Sequence, residues 1–224
     1  MLRRYGATGV AIAIAITLVG CTSEGQGADA VLTPSPEPAV KHVQADADAA
    51  VLTLDDPELA GYKKVTLPEP EYPPKSEEDC WALYRRAKKD LREAATAHAG
   101  ESYNKTDDGP YVIHTVTVHD EQFAAAAIDD VRTSYAGPCR TWTNPDGLEF
   151  AVSEFEVDDG ALDAADEVYG YRIEAGDEKQ TLIIFGAYLR KGDLISQIEY
   201  AAFDATPADA IVFVVAAAKK LPVA

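Results

Sequence analysis

Cations are scarce in this chain: 20 lysines and arginines stand against 38 aspartates and glutamates, a net charge of −18. A surface of that sign repels phosphate backbones and anionic headgroups. It argues against nucleic acid as a partner and against a basic patch as the route to a membrane. Long apolar runs are missing too. The longest charge-free apolar stretch, residues 10–19, falls short of the roughly 20 residues a membrane-spanning helix needs. The motifs of several chemistries are absent: no Gly-x-Ser-x-Gly, no His-Glu-x-x-His, no Gly-x-Gly-x-x-Gly and no phosphate loop. No residue is therefore assigned a catalytic role, no metal ligand is named and no cofactor is expected. His114 and His119 lie five apart, on opposite faces of a regular strand, which argues against a metal pair. The acids of 158–167 lack the alternating spacing of a calcium loop and read as solvated loop.

What is present begins at the N-terminus. Arg3 and Arg4 precede the apolar stretch, and Leu18-Val19-Gly20-Cys21 closes it. A basic start, a short apolar core and a small residue before the cut form a signal peptide. With leucine at −3 and cysteine at +1, the stretch resembles the lipobox of bacterial lipoproteins. That resemblance implies removal of residues 1–20 and acylation of the Cys21 thiol. An ordinary secretory signal with an incidental cysteine is the competing reading. Each buried methylene contributes about 0.8 kcal/mol, so one chain binds marginally and two anchor stably. Loss of Arg3 and Arg4 would bring the mature charge to −20.

Three cysteines occur in the chain: Cys21, Cys80 and Cys139. If Cys21 carries lipid, an even pair remains in an exported protein, where disulfides persist. A Cys80–Cys139 bond is the expectation, and two free buried thiols are the alternative. Residues 21–46 hold Ser, Gly, Pro, Glu and Ala around Thr33-Pro34-Ser35-Pro36-Glu37-Pro38, with few large apolar side chains. They read as a flexible tether ahead of a domain over 47–224. Residues 67–74 are proline-rich and read as a covering loop.

Within the domain, Ser76-Glu77-Glu78-Asp79 opens a helix. Cys80, Tyr84, Ala87, Leu91, Ala94 and His98 recur at helical spacing to an end near Gly100. Arg85, Arg86, Lys88, Lys89 and Arg92 form its basic side. Residues 101–109 read as polar loop. The β-branched run 111–118 reads as a strand with Val112, His114, Val116 and Val118 on one face. Asp120 caps a second helix that Gly137-Pro138 ends. Strands follow over 148–157, 168–174, 180–189 and 194–203. Thr206-Pro207-Ala208-Asp209 starts an apolar final helix. The short turns near Gly176 and Gly192 imply antiparallel neighbours. The expected class is α+β: an antiparallel sheet of about four or five strands with helices packed on one face.

This order resembles the extracellular sensor domains of mycobacterial PknH-type receptor kinases and related actinobacterial lipoproteins. The stretches that carry the resemblance are 52–62, 116–142 and 190–199, with the Ala/Val-rich terminal helix. It implies a non-enzymatic α+β domain with a cleft for a cell-envelope molecule. Many members carry two disulfides, whereas this chain can form only one. Tyr169, Tyr171, Tyr188 and Tyr200 fall on neighbouring expected strands. On one face they would form an aromatic floor for a glycan or a lipid headgroup; otherwise they are core. The leading expectation is a lipid-anchored, extracytoplasmic, non-catalytic binding or sensing module. Its alternatives are a lipoprotein that docks another envelope protein and an envelope hydrolase.

Overall fold

A computed structural model describes residues 41–67, 80, 91–144, 147–157, 159–176 and 180–223. Helix α1 (Gln44–Ala50) and a 3-10 turn (Pro57–Leu59) lead into β1 (Lys63–Lys64). Then come β2 (Ala97–Asn104), β3 (Tyr111–Val118), α2 (Glu121–Ala136), β4 (Thr141–Thr143) and β5 (Glu149–Glu154). The chain continues through α3 (Asp159–Leu162), β6 (Glu167–Gly176), β7 (Thr181–Lys191), β8 (Leu194–Ala202) and α4 (Pro207–Lys219). All strands join one antiparallel sheet in the order β1-β2-β3-β8-β7-β6-β5-β4.

Among the described residues the sheet has eight strands, which corrects the expectation of four or five. The additional three are β1, β2 and β4. β1 and β4 are only two and three residues long, too short to show a period. β2 reads Ala-His-Ala-Gly-Glu-Ser-Tyr-Asn, a composition poor in β-branched residues. Pairing over its full length with β3 imposes the extended form. The helical stretch before it ends at residue 94, so His98 and Glu101 lie in a strand instead of a helix end and a loop.

Helices cover both faces of the sheet, correcting the one-sided arrangement. On one face α1 and α4 bury Leu52, Val112, Val116, Phe185, Leu189, Ile198 and Phe213 together. On the other, α2 buries Ile128, Val131 and Tyr135 against Phe150, Tyr171, Ile173, Tyr188 and Ile195. Strand alternation sorts the side chains: even positions of β3 meet odd positions of β7 on the α4 face. Full burial of each large apolar side chain contributes about 1.5–3 kcal/mol, so two filled faces hold the sheet from both sides.

The helix ends follow their sequences. The Asp120 side chain accepts from the Gln122 amide at 3.0 Å. Thr206 and Asp209 form a reciprocal capping box, with Pro207 in the first turn. α1 begins inside the stretch expected to be tether, with Ala47 and Ala50 buried. Ahead of it, the His42 amide lies 3.3 Å from the Asp193 carboxylate, and its ring Nδ1 meets Oδ1 at 2.5 Å. Cys80 and Cys139 are disulfide-bonded, with Cα atoms 5.1 Å apart. The proline-rich 68–74 and the basic side chains of 85–89 lie outside the described residues, as do Cys21 and the stretch before Lys41.

Candidate functional site

Register decides what the four tyrosines do. Tyr169 pairs with Tyr188 across β6 and β7, and Tyr171 follows two residues on, so these three share the α2 face. Ring centroids are 6.3 Å apart for Tyr169–Tyr171 and 5.6 Å for Tyr171–Tyr188, and Tyr135 of α2 meets Tyr171 edge-on. All three are buried. Tyr200 pairs with Phe185 and therefore takes the opposite face, where it stacks on Phe213 at 5.5 Å. The structure thus brings three together as core and separates the fourth. Tyr169 reaches a concavity, a notch of about 260 Å³ shared with Arg132, Glu154 and Leu162. Arg132 lies over its ring at 5.3 Å. Burial, then Glu154, raises the Tyr169 phenol pKa against the pull of Arg132.

Tyr171 crosses over Gly186 to reach β8. A β-carbon at Gly186 would come within 2.2 Å of the ring. Its hydroxyl donates to Glu199 Oε1 at 2.6 Å and accepts from Gln197 Nε2 at 3.1 Å. This buried carboxylate is satisfied within the core.

A serine–histidine contact also occurs, on the α4 face. His114 Nε2 lies 2.8 Å from Ser196 Oγ, and the Leu52 amide donates to His114 Nδ1 at 3.0 Å. Because Nδ1 accepts, Nε2 carries the proton and donates to the serine. A general base needs the reverse arrangement. Burial, then the charge of Lys220, pushes the His114 pKa down to about 3, and both residues have 0% exposure. This pair is a polar clasp in the core, not an activated nucleophile.

A second histidine group surrounds the β7–β8 turn. Asp193 holds His42, and its carbonyl accepts the His119 amide at 2.9 Å. The His119 ring stacks on Phe123 at 4.9 Å. Burial is the largest influence on His119 and lowers its pKa, against the Ala94 carbonyl and Asp193. Nearby, Asp166 accepts from Gly192 and Lys191, and Glu167 from Arg190 and Arg132. These acids of the 158–167 cluster are therefore engaged by cations. Among the described residues no three His, Cys, Asp or Glu side chains converge as a metal site.

The larger concavity, about 600 Å³, lies on the sheet face beyond the reach of α4. Two register rows build its floor. One is Thr143, Glu149, Gly176 and Thr181; the other is Thr141, Ala151 and Glu174. Arg172 forms an ion pair with Glu174. Trp142 and Phe150, register partners on the α2 side, stack at 4.9 Å with planes 8° apart and stiffen the strand pair beneath. Hydroxyls and carboxylates line this groove beside Trp142, Phe150 and Ala151, so it offers a ligand hydrogen bonds together with apolar surface. β4 is not among the strands expected from the sequence. The alternation of Thr141, Trp142 and Thr143 was the available signal.

No family model matches the chain, and no curated protein matches it. Among solved structures, the extracellular domain of PknH from Mycobacterium tuberculosis is similar in fold. The TM-score is 0.56 at 10% sequence identity, over 82% of this chain and 98% of that one. At that identity the likeness is one of fold.

Proposed function

We propose, from a likeness that spans nearly the whole extracellular domain of a receptor kinase, that this chain is an extracytoplasmic binding or sensing module without catalysis. That coverage is the observation that carries the reading. The sequence supplies the address: lipid on Cys21 holds the module at the outer side of the cell membrane, and the residues after it serve as a spacer. Among the described residues no helix is long and apolar enough to cross a membrane. The ligand is an envelope glycan or a lipid headgroup held by hydrogen bonds in the β4–β7 groove. Tyr169 contributes to ligand contact only at the separate notch beside Arg132.

Two experiments test this reading. Cys21→Ala should move the protein from the membrane fraction to the soluble extracytoplasmic fraction; unchanged membrane recovery would sink the anchor. Ala151 is exposed on the groove floor, so Ala151→Trp fills the groove without disturbing the core. Mass spectrometry of the native protein should identify a co-purified glycan or lipid that this variant lacks. Equal recovery from both proteins overturns the groove as the binding site.

A further inference from the structure

The two margins of the sheet are built differently. β1 consists of Lys63 and Lys64, both exposed, and lysines on an outermost strand deter another strand from pairing. β4 consists of Thr141, Trp142 and Thr143 and carries no charge. The bonds around β4 fix which way its peptide groups point. The Val152 amide donates to the Arg140 carbonyl at 2.8 Å, and the Asn144 amide to the Leu148 carbonyl at 3.0 Å. Residues 140, 142 and 144 therefore turn towards β5, and by alternation Thr141 and Thr143 turn their N–H and C=O groups outward. Among the described residues nothing pairs with those four groups.

We propose that the β4 margin accepts an extended segment of a partner polypeptide that carries a basic side chain. Only extended backbone presents donors and acceptors at the spacing of Thr141 and Thr143. A residue placed opposite Thr143 extends the row to Glu149, with its side chain over the groove. Two strand spacings, about 10 Å, separate that position from Glu149, within reach of a lysine and a glutamate together. Glu149 has no ion pair among the described residues, whereas Glu174 is matched by Arg172. Charge also selects against a second copy: each chain carries −18, and edge-to-edge pairing would bring two Glu149 carboxylates to one seam.

The test is hydrogen exchange resolved to single amides, on the protein as purified from its own membranes. The probe is the blocked heptapeptide Thr-Val-Thr-Lys-Thr-Val-Thr at about 1 mM, a concentration suited to a weak contact. The free protein should exchange the Thr141 and Thr143 amides fast, and the peptide should slow both about tenfold. A version with glutamate for lysine should protect less, and an N-methylated backbone not at all. Glu149→Gln should erase the preference for lysine over glutamate. Slow exchange in the free protein, or no slowing with the lysine peptide, overturns the proposal. Slowing that grows with protein concentration alone would assign the margin to self-pairing and overturn it as well. The glycan and lipid reading has its own readout, so failure here leaves it standing.

Discussion

Gly186 has neither a positive φ nor a turn to explain it. Its role is to leave room for the Tyr171 ring, which spans from β6 to Glu199 on β8. Gly186→Ala forces the ring off its carboxylate, so unfolding in urea should show a loss of about 1–3 kcal/mol. Combined with Tyr171→Ala, the same change should cost far less than the sum of the single losses; strict additivity would show that the ring is not what needs the space. His114 makes a second residue-scale prediction. Its folded pKa, about 3, lies below the ordinary histidine value of 6.5. The unfolded chain therefore binds a proton that the folded one refuses, and stability falls as pH drops from about 6.5 towards 3. The slope from this residue approaches about 1.4 kcal/mol per pH unit. His114→Gln should flatten the urea-midpoint profile in that window, even though it lowers stability overall. An unchanged slope rejects the assignment.

At the scale of elements, the sequence is most legible where local chemistry suffices. Thr206 and Asp209 mark the start of α4 by their own side-chain bonds, with Pro207 in its first turn. Thr206→Ala should lower the thermal midpoint by the equivalent of about 1 kcal/mol; no loss would make the capping box incidental. Asp120 and the β-branched run of β3 were legible in the same way. β2 was not. Ala97, Gly100 and Glu101 prefer no strand, and their conformation is imposed by partners in β3 that local spacing does not reveal. The site shows the same division. That Tyr169, Tyr171 and Tyr188 sit on adjoining strands could be read directly. That Tyr200 faces away depends on a pairing register with Phe185, which is set by the β7–β8 turn. The groove needed β4, and three residues give a periodicity nothing to count.

On the scale of the molecule, the expected cysteine pair is present, and it joins the helical Cys80 to the residue that leads into β4. The two half-cystines are 59 residues apart in sequence. Closing a loop of that length restricts the unfolded chain by about 4 kcal/mol in the chain-entropy model. Thiol titration in denaturant should find no free thiol at Cys80 or Cys139, and reduction should lower the urea midpoint accordingly. A reduced protein of unchanged midpoint would mean that the bond contributes no net stability. The proposed lipidation of Cys21 and the proposed spacer rest on the sequence alone, and the fractionation experiment tests the anchor.

The strand order also sets a timetable. The strands β5 to β8 follow one another as a meander and can zip up as they emerge. β3 must wait for β8, because Tyr111 pairs with Ala201 and Val118 with Leu194. A chain made from its N-terminus therefore holds β1, β2 and β3 as an unfinished half-sheet until β8 is out. Such non-local pairing is slow, since loop closure comes before the contacts that reward it. During that wait the apolar face of Val112, Val116 and Val118 has no cover from α4, which follows β8. The centre of the finished sheet is thus the seam that closes last.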